Sequence, residues 1–167
     1  MGTVLVTGAT SGIGEEFCWQ LAAAGHDLVL VARRDDTLRA LADSLANVAG
    51  VRAEVIAADL STDSGCARVA ARLDVGGPAD REKPDLAPVD LLVNNAGFGL
   101  GTDFLDNSLD NEINGLNVMV RAVMTLAHHA GISMRSRGRG AILNVGSVAS
   151  RTGAGTYSAH KAWVVAF

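Results

Sequence analysis

Five short, almost uninterrupted apolar runs punctuate the chain, at Thr3–Thr7, Asp27–Ala32, Arg52–Ala57, Asp90–Asn94 and Ala141–Val145. Between them lie longer stretches in which apolar residues recur every three or four positions. This alternation predicts repeated βα units, hence an α/β fold built on a parallel, doubly wound sheet. Strands covered by helices on both faces need no polar alternation, which is what these runs show. Ile13/Phe17/Leu21, Leu38/Leu41/Leu45 and Val69/Leu73 each give a helix one predicted buried stripe. A longer helix is predicted over Leu109 to Arg137, with Ile113, Leu116, Val120, Val123 and Ala127 on its buried face. A last helix is predicted from Tyr157.

The length of 167 residues suits one domain, 1–167, which can bury about 70% of its unfolded surface without a disulfide or metal. With 49% hydrophobic and 19% charged residues, a disordered chain is excluded. A net charge of -4 gives no basic footprint, so no nucleic-acid partner is expected. No apolar stretch has the length of a membrane span, and the start has no basic, apolar leader pattern. The expectation is a soluble, cytoplasmic protein with no membrane partner. Cys18 and Cys66 form no CxxC and read as reduced thiols packed as small apolar groups. His26, His128, His129 and His160 are not spaced as a ligand set, so no metal is expected. Pro78, Pro84 and Pro88, with Asp80, Arg81, Glu82, Lys83 and Asp85 among them, predict a solvated loop between Val75 and Val89.

Glycine is abundant, at 19 residues, and its placement is specific. The first strand runs into Thr7-Gly8-Ala9-Thr10-Ser11-Gly12-Ile13-Gly14, where a helical pattern begins. A βαβ unit needs glycines here so that the backbone can turn tightly, approach a pyrophosphate and pack helix on strand. The anion would sit at the helix N-terminus, against free N–H groups and the positive end of the dipole. Glycines serving packing alone are the rival reading of this GxxxGxG spacing. The second strand ends at Arg33-Arg34, where an NAD site places an acid for the ribose 2′-hydroxyl. Two guanidiniums suit the 2′-phosphate of NADP better, with a solvated Arg pair at a helix start as the rival reading. Asp59-Leu60, after the third strand, falls at the adenine end of such a site, while a helix N-cap is the rival role for Asp59, with Ser61 or Thr62 as other caps.

The fifth strand ends near Ser147, where ligands bind in open α/β sheets. Ten residues on, Tyr157 and Lys161 stand at i and i+4 and share a helix face. An ammonium near a phenol favours phenolate, which makes the phenol a usable acid/base, although the spacing alone reads more readily as a surface pair.

Taken together these motifs resemble the short-chain dehydrogenase/reductase family, which is Rossmann-like. Thr7 to Gly14 match its TGxxxGIG cofactor turn, Asp59-Leu60 its adenine-site pair and Asn94-Asn95-Ala96-Gly97 its NNAG motif. Asn117, Ser147, Tyr157 and Lys161 match its catalytic tetrad. The resemblance implies a dehydrogenase or reductase that moves a hydride between NADP(H), preferred over NAD(H), and a small-molecule carbonyl or secondary alcohol. It implies cofactor binding by Gly8, Thr10, Ser11, Gly12, Ile13 and Gly14, by Arg33, Arg34, Asp59 and Leu60, and by Asn95, Ala96, Gly97, Tyr157 and Lys161. Tyr157 would transfer the proton, Lys161 would assist it and hold the nicotinamide ribose, Ser147 would bond the substrate oxygen, and Asn117 would hold a water. A homodimer or homotetramer is also implied.

Two departures qualify that pattern. The segment Arg151–Thr156 before the tyrosine is short and glycine-rich. The family's sixth strand, substrate lid and seventh strand have no counterpart, which predicts a C-terminally truncated domain with its fifth strand as an uncovered apolar edge. A non-catalytic NADP-binding protein or an inactive fragment of a reductase is therefore the alternative. A sugar-nucleotide epimerase or dehydratase, which also uses Tyr-xxx-Lys, differs at the glycine turn.

Overall fold

The computed structural model describes residues 2–78 and 86–167. The charged residues Asp80, Arg81, Glu82, Lys83 and Asp85 of the predicted solvated loop lie outside them. Strand β1 (Thr3–Thr7) is buried along its whole length, as Val4, Leu5 and Val6 require. Around it the parallel sheet has the order β3-β2-β1-β4-β5. Here β2 is Asp27–Ala32, β3 Ala53–Ala57, β4 Val89–Asn94 and β5 Ala141–Asn144. One face is covered by α1 (Gly12–Ala23) and α2 (Asp35–Ala49), the other by α3 (Asp63–Leu73) and α5 (Ala122–Arg137). The result is the predicted α/β fold. Among the described residues no helix is long and apolar enough to cross a membrane.

Two predicted stripes sit on other faces. In α1 the buried residues are Gly14, Cys18 and Ala22, whereas Ile13 is 62% exposed. The cause is close packing of helix on turn: a Cβ at Gly14 would lie 2.1 Å from the Gly8 carbonyl oxygen. Small residues therefore take the inner face, and Phe17 and Leu21 pack at its flank. The predicted stripes of α2 and α3 are buried: Leu38, Leu41 and Leu45 in one, Val69 and Leu73 in the other.

The long helix predicted over Leu109 to Arg137 is helical throughout, but not uniformly. After α4 (Leu109–Leu116) comes a π-helical turn, Asn117–Arg121, and then α5. One inserted residue rotates the following stripe by about 100° relative to the preceding one. The buried line is Gly115, Met119, Ala122, Leu126 and Ala130; of the predicted face, Val123 and Ala127 after the π turn are buried, whereas Ile113 and Leu116 before it are each 45% exposed. The strand β5 departs from two-sided burial, with Ala141, Ile142 and Leu143 all exposed. It is an apolar edge. The last helix, α6 (Gly155–Ala166), starts two residues before Tyr157.

Candidate active site

The glycine turn is built by hydrogen bonds from the end of β4. The buried Thr7 hydroxyl accepts from the backbone N–H groups of Asn95 (3.0 Å) and Ala96 (3.1 Å) and donates to the Val93 carbonyl (3.3 Å). The Asn95 amide donates to the carbonyls of Thr7 (3.0 Å) and Gly8 (3.3 Å). Gly8 has φ +69°, and a Cβ there would meet the Asn95 amide at 2.9 Å. At Gly12, φ +53°, a Cβ would face open space. Ser11 occupies the N-cap of α1 with extended backbone yet makes no side-chain cap. No side chain at Ser11 therefore caps the first N–H groups of α1, which point out of the turn where an anion is favoured.

A cleft of about 860 Å³ opens from this turn. Of the predicted cofactor residues it is lined by Gly8, Thr10, Ser11, Arg33, Arg34, Asp59, Leu60, Ala96 and Gly97, joined by Phe98, Asn111, Asn114 and Val118. Arg33 and Arg34 are exposed, and their guanidiniums make no hydrogen bond or ion pair among the described residues. Asp59 does not cap α3; Thr62 does, accepting from the Gly65 N–H. The Asp59 carboxylate accepts from the backbone N–H (2.9 Å) and hydroxyl (2.8 Å) of Ser61. Those bonds, with a weaker contribution from Arg33, hold it below the ordinary carboxylate range. Gly12, Ile13, Gly14 and Asn95 do not line this cleft; Gly14 packs against Gly8 and Asn95 in the turn, and Ile13 is exposed.

Tyr157 and Lys161 are four residues apart on α6, so they share a face. Tyr157 is half-buried and Lys161 is 6% exposed. The Lys161 ammonium donates to the Val145 carbonyl (2.8 Å), just past β5, and burial pulls its pKa below the ordinary lysine value. A Cβ built on Gly97 would lie 3.6 Å from that nitrogen, so the ammonium stands beside the cleft wall. Ser147 caps a short 3-10 turn, Val148–Arg151, its oxygen accepting from the Ala149 N–H (3.1 Å). The α6 helix packs against that turn, against α4 and against the π turn that Asn117 opens. All four tetrad positions thus belong to segments that meet at the carboxyl ends of β4 and β5.

Sequence reading missed the bracing beneath this site. The Asn94 amide donates to the Asn144 side-chain oxygen (3.0 Å), tying β4 to β5, and the Thr7 hydroxyl carries the glycine turn. The available signal was a polar side chain ending an otherwise apolar strand in all three cases. Among the described residues no group of three or more His, Cys, Asp or Glu could hold a metal ion.

The short chain dehydrogenase family profile matches residues 2–167. An NADP-dependent 3-hydroxy acid dehydrogenase from Schizosaccharomyces pombe is 32% identical over 170 residues, covering 99% of this chain and 62% of the relative. Among solved structures, a short-chain dehydrogenase from Sphingobium yanoikuyae in complex with NADPH superposes with a TM-score of 0.89 at 35% identity, covering 99% of this chain and 62% of that one. A bulky-bulky ketone specific alcohol dehydrogenase from Comamonas testosteroni does so with a TM-score of 0.89 at 33% identity, covering 99% and 64%. The chain therefore spans a little over three fifths of the length of these relatives.

Proposed function

Because the chain belongs to the short-chain dehydrogenase family, we propose that it carries the cofactor and catalytic residues of an NADP-dependent oxidoreductase. Its substrate is a carbonyl, or the corresponding secondary alcohol, of a small organic molecule. The observation that carries this reading is the buried Lys161 ammonium beside a cleft that runs from the unpaired Arg33 and Arg34 to Gly97.

The cleft fits an NADP molecule: it has room, an open turn at Gly12, uncapped N–H groups at α1 and two free guanidiniums. When bound, that cofactor supplies hydride exchange at its nicotinamide. The turn from Gly8 to Gly14 would hold the diphosphate, Arg33 and Arg34 the 2′-phosphate, and Asp59 with Leu60 the adenine end. Arg33 in place of an acid is the reason NADP is favoured over NAD. Ser147, its oxygen already accepting from Ala149, has its hydroxyl hydrogen left to donate to the substrate oxygen. Tyr157 gives its phenolic proton to that oxygen in reduction and takes it back in oxidation, with Lys161 as the adjoining cation. Asn117, at the head of the π turn, orders the water through which the proton is replaced.

A homodimer or homotetramer is supported by the apolar residues Ile113, Leu116 and Met124, which α4 and α5 leave exposed. A cytoplasmic location suits two buried, unpaired cysteines, Cys18 and Cys66. The test is NADPH oxidation by the complete protein against a carbonyl panel. Tyr157→Phe should lower kcat about 100- to 10,000-fold, the usual worth of a general acid. Turnover unaffected by Tyr157→Phe would overturn the mechanism, and NADP binding without turnover on any carbonyl would favour the non-catalytic alternative.

A further inference from the structure

Tyr157 stands in the first turn of a helix that has no cap of its own. The segment before it contains Gly153 and Gly155, the latter at φ +70°, and the N-cap position, Ala154, has no hydroxyl or carboxylate to hold the first N–H groups. The local ties of that turn are the Gly155 N–H donating to the Gly153 carbonyl (3.1 Å) and a bond between the Thr152 and Ser158 hydroxyls (3.0 Å), neither of which holds Thr156 or Tyr157 itself. The neighbouring side chains supply what is missing. Glu112 of α4 is buried, and both its oxygens are engaged. One accepts from the Thr156 hydroxyl in a short hydrogen bond, the other from the Asn107 amide at 2.6 Å. Asn107 in turn accepts from the Asn111 amide (2.9 Å), which also donates to the Leu100 carbonyl (3.3 Å). Gly115, one turn after Glu112, has no side chain, and His160 of α6 approaches to 3.5 Å of where a Cβ would stand.

We infer that Glu112 is a positioning residue, which pins Thr156 and so sets the place of the adjacent Tyr157 against the cleft, while its second oxygen holds the loop at Leu100–Asn107 in the same frame. This rests on the reading of Tyr157 as the proton donor. A carboxylate accepting two side-chain bonds in a buried setting is costly to leave half-satisfied, so removing either partner lets the turn move.

The experiment measures kcat, substrate KM and NADPH Kd in the complete protein for Thr156→Val, Thr156→Ser, Glu112→Ala, the Glu112→Ala/Thr156→Val double variant and Tyr157→Phe. Misplacement of about 1 Å can cost 100-fold, so Thr156→Val and Glu112→Ala should each lower kcat about 10- to 100-fold. NADPH Kd should change far less than kcat, since the Gly8–Gly14 turn and Arg33 and Arg34 are untouched. Thr156→Ser, which keeps the hydroxyl, should restore most of kcat, and the double variant should be no worse than the poorer single one. The inference is overturned if Thr156→Val keeps full kcat while Tyr157→Phe is inactive. It is equally overturned if Thr156→Ser is as poor as Thr156→Val, or if kcat and NADPH affinity fall together, because the contact is then merely structural. If Tyr157→Phe itself keeps full activity, the reading of Tyr157 falls first and separately.

Discussion

One row of side chains across the sheet runs from Leu5 on β1 to its partner Leu92 on β4 and on to Ile142 on β5. Leu5 and Leu92 are fully buried, and Ile142 is 37% exposed. The central strands are packed on both faces, by α1 and α2 on one side and by α3 and α5 on the other. At their end is the glycine turn, so the proposed cofactor cradle rests on strands buried on both faces. The β5 side is held differently, by discrete polar ties: Asn94 to Asn144, Lys161 to the Val145 carbonyl and Thr156 to Glu112. Packing fixes the strands beneath the glycine turn, and the Thr7 and Asn95 bonds shape the turn itself. Hydrogen bonds fix the half that bears Ser147, Tyr157 and Lys161.

The most direct way to break this comparison is to delete equivalent side chains in the two halves. Leu92→Ala should cost about 2–5 kcal/mol, as for other fully buried leucines. Ile142→Ala, at a half-exposed edge position, should cost about 1 kcal/mol because less apolar area returns to water. Chemical denaturation midpoints decide it; similar losses at both sites would mean that β5 is as firmly packed as β4. Gly14→Ala is next in size. Its methyl would collide with the Gly8 carbonyl at 2.1 Å and the Asn95 amide at 2.4 Å, both fixed by the bonds described above. A loss of about 1–3 kcal/mol is expected from overpacking of this kind, with loss of NADPH binding measured by cofactor fluorescence. Unchanged binding would show that the turn can relax without losing its shape.

What the sequence made legible follows the same division. The five parallel strands and the glycine turn are readable because β-branched runs and glycine spacing are local patterns with local causes. The inner face of α1 is not readable from hydrophobicity: Gly14, Cys18 and Ala22 are chosen by how closely the helix meets Gly8, a tertiary constraint that leaves Ile13 outside. The face of α4 is missed for a related reason. The π turn at Asn117–Arg121 breaks the 3.6-residue phase that the prediction extends through it. Glu112 and Thr156 lie 44 residues apart, and neither carries a motif, so only the fold brings them together.

Arg33→Glu probes the binding half without touching its packing, since the side chain is exposed and unpaired. A charge-assisted bond to phosphate contributes about 1.5–3 kcal/mol, so NADP affinity should fall about 10- to 100-fold. NAD affinity should change far less, because the 2′-phosphate alone faces the guanidinium. Parallel titrations of the two cofactors give the answer, and equal losses would place Arg33 away from the 2′-phosphate.

The smallest effect tests whether charge adds to packing in the well-covered half. Asp27, at the start of β2, accepts from the Arg52 backbone N–H (2.9 Å) and from its guanidinium through Nε (2.9 Å) and Nη2 (2.5 Å). The Arg52 side chain, ahead of its backbone N–H and its charge, holds the Asp27 carboxyl below the ordinary value of 3.8. A carboxyl lowered on folding stabilises the native state above its unfolded pKa, and that contribution disappears as pH falls through the folded one. The Arg52 side chain is 82% exposed, so screening limits the pair to less than about 1 kcal/mol. Asp27→Asn should therefore be slightly less stable than the parent at pH about 7, with the gap closing as pH falls from the ordinary value of 3.8 through the lowered folded one. Denaturation across that pH range reads the difference directly. A gap that persists in acid would show that Asp27 acts through the shape of the β2–β3 junction, and the central strands would then owe nothing measurable to this ion pair.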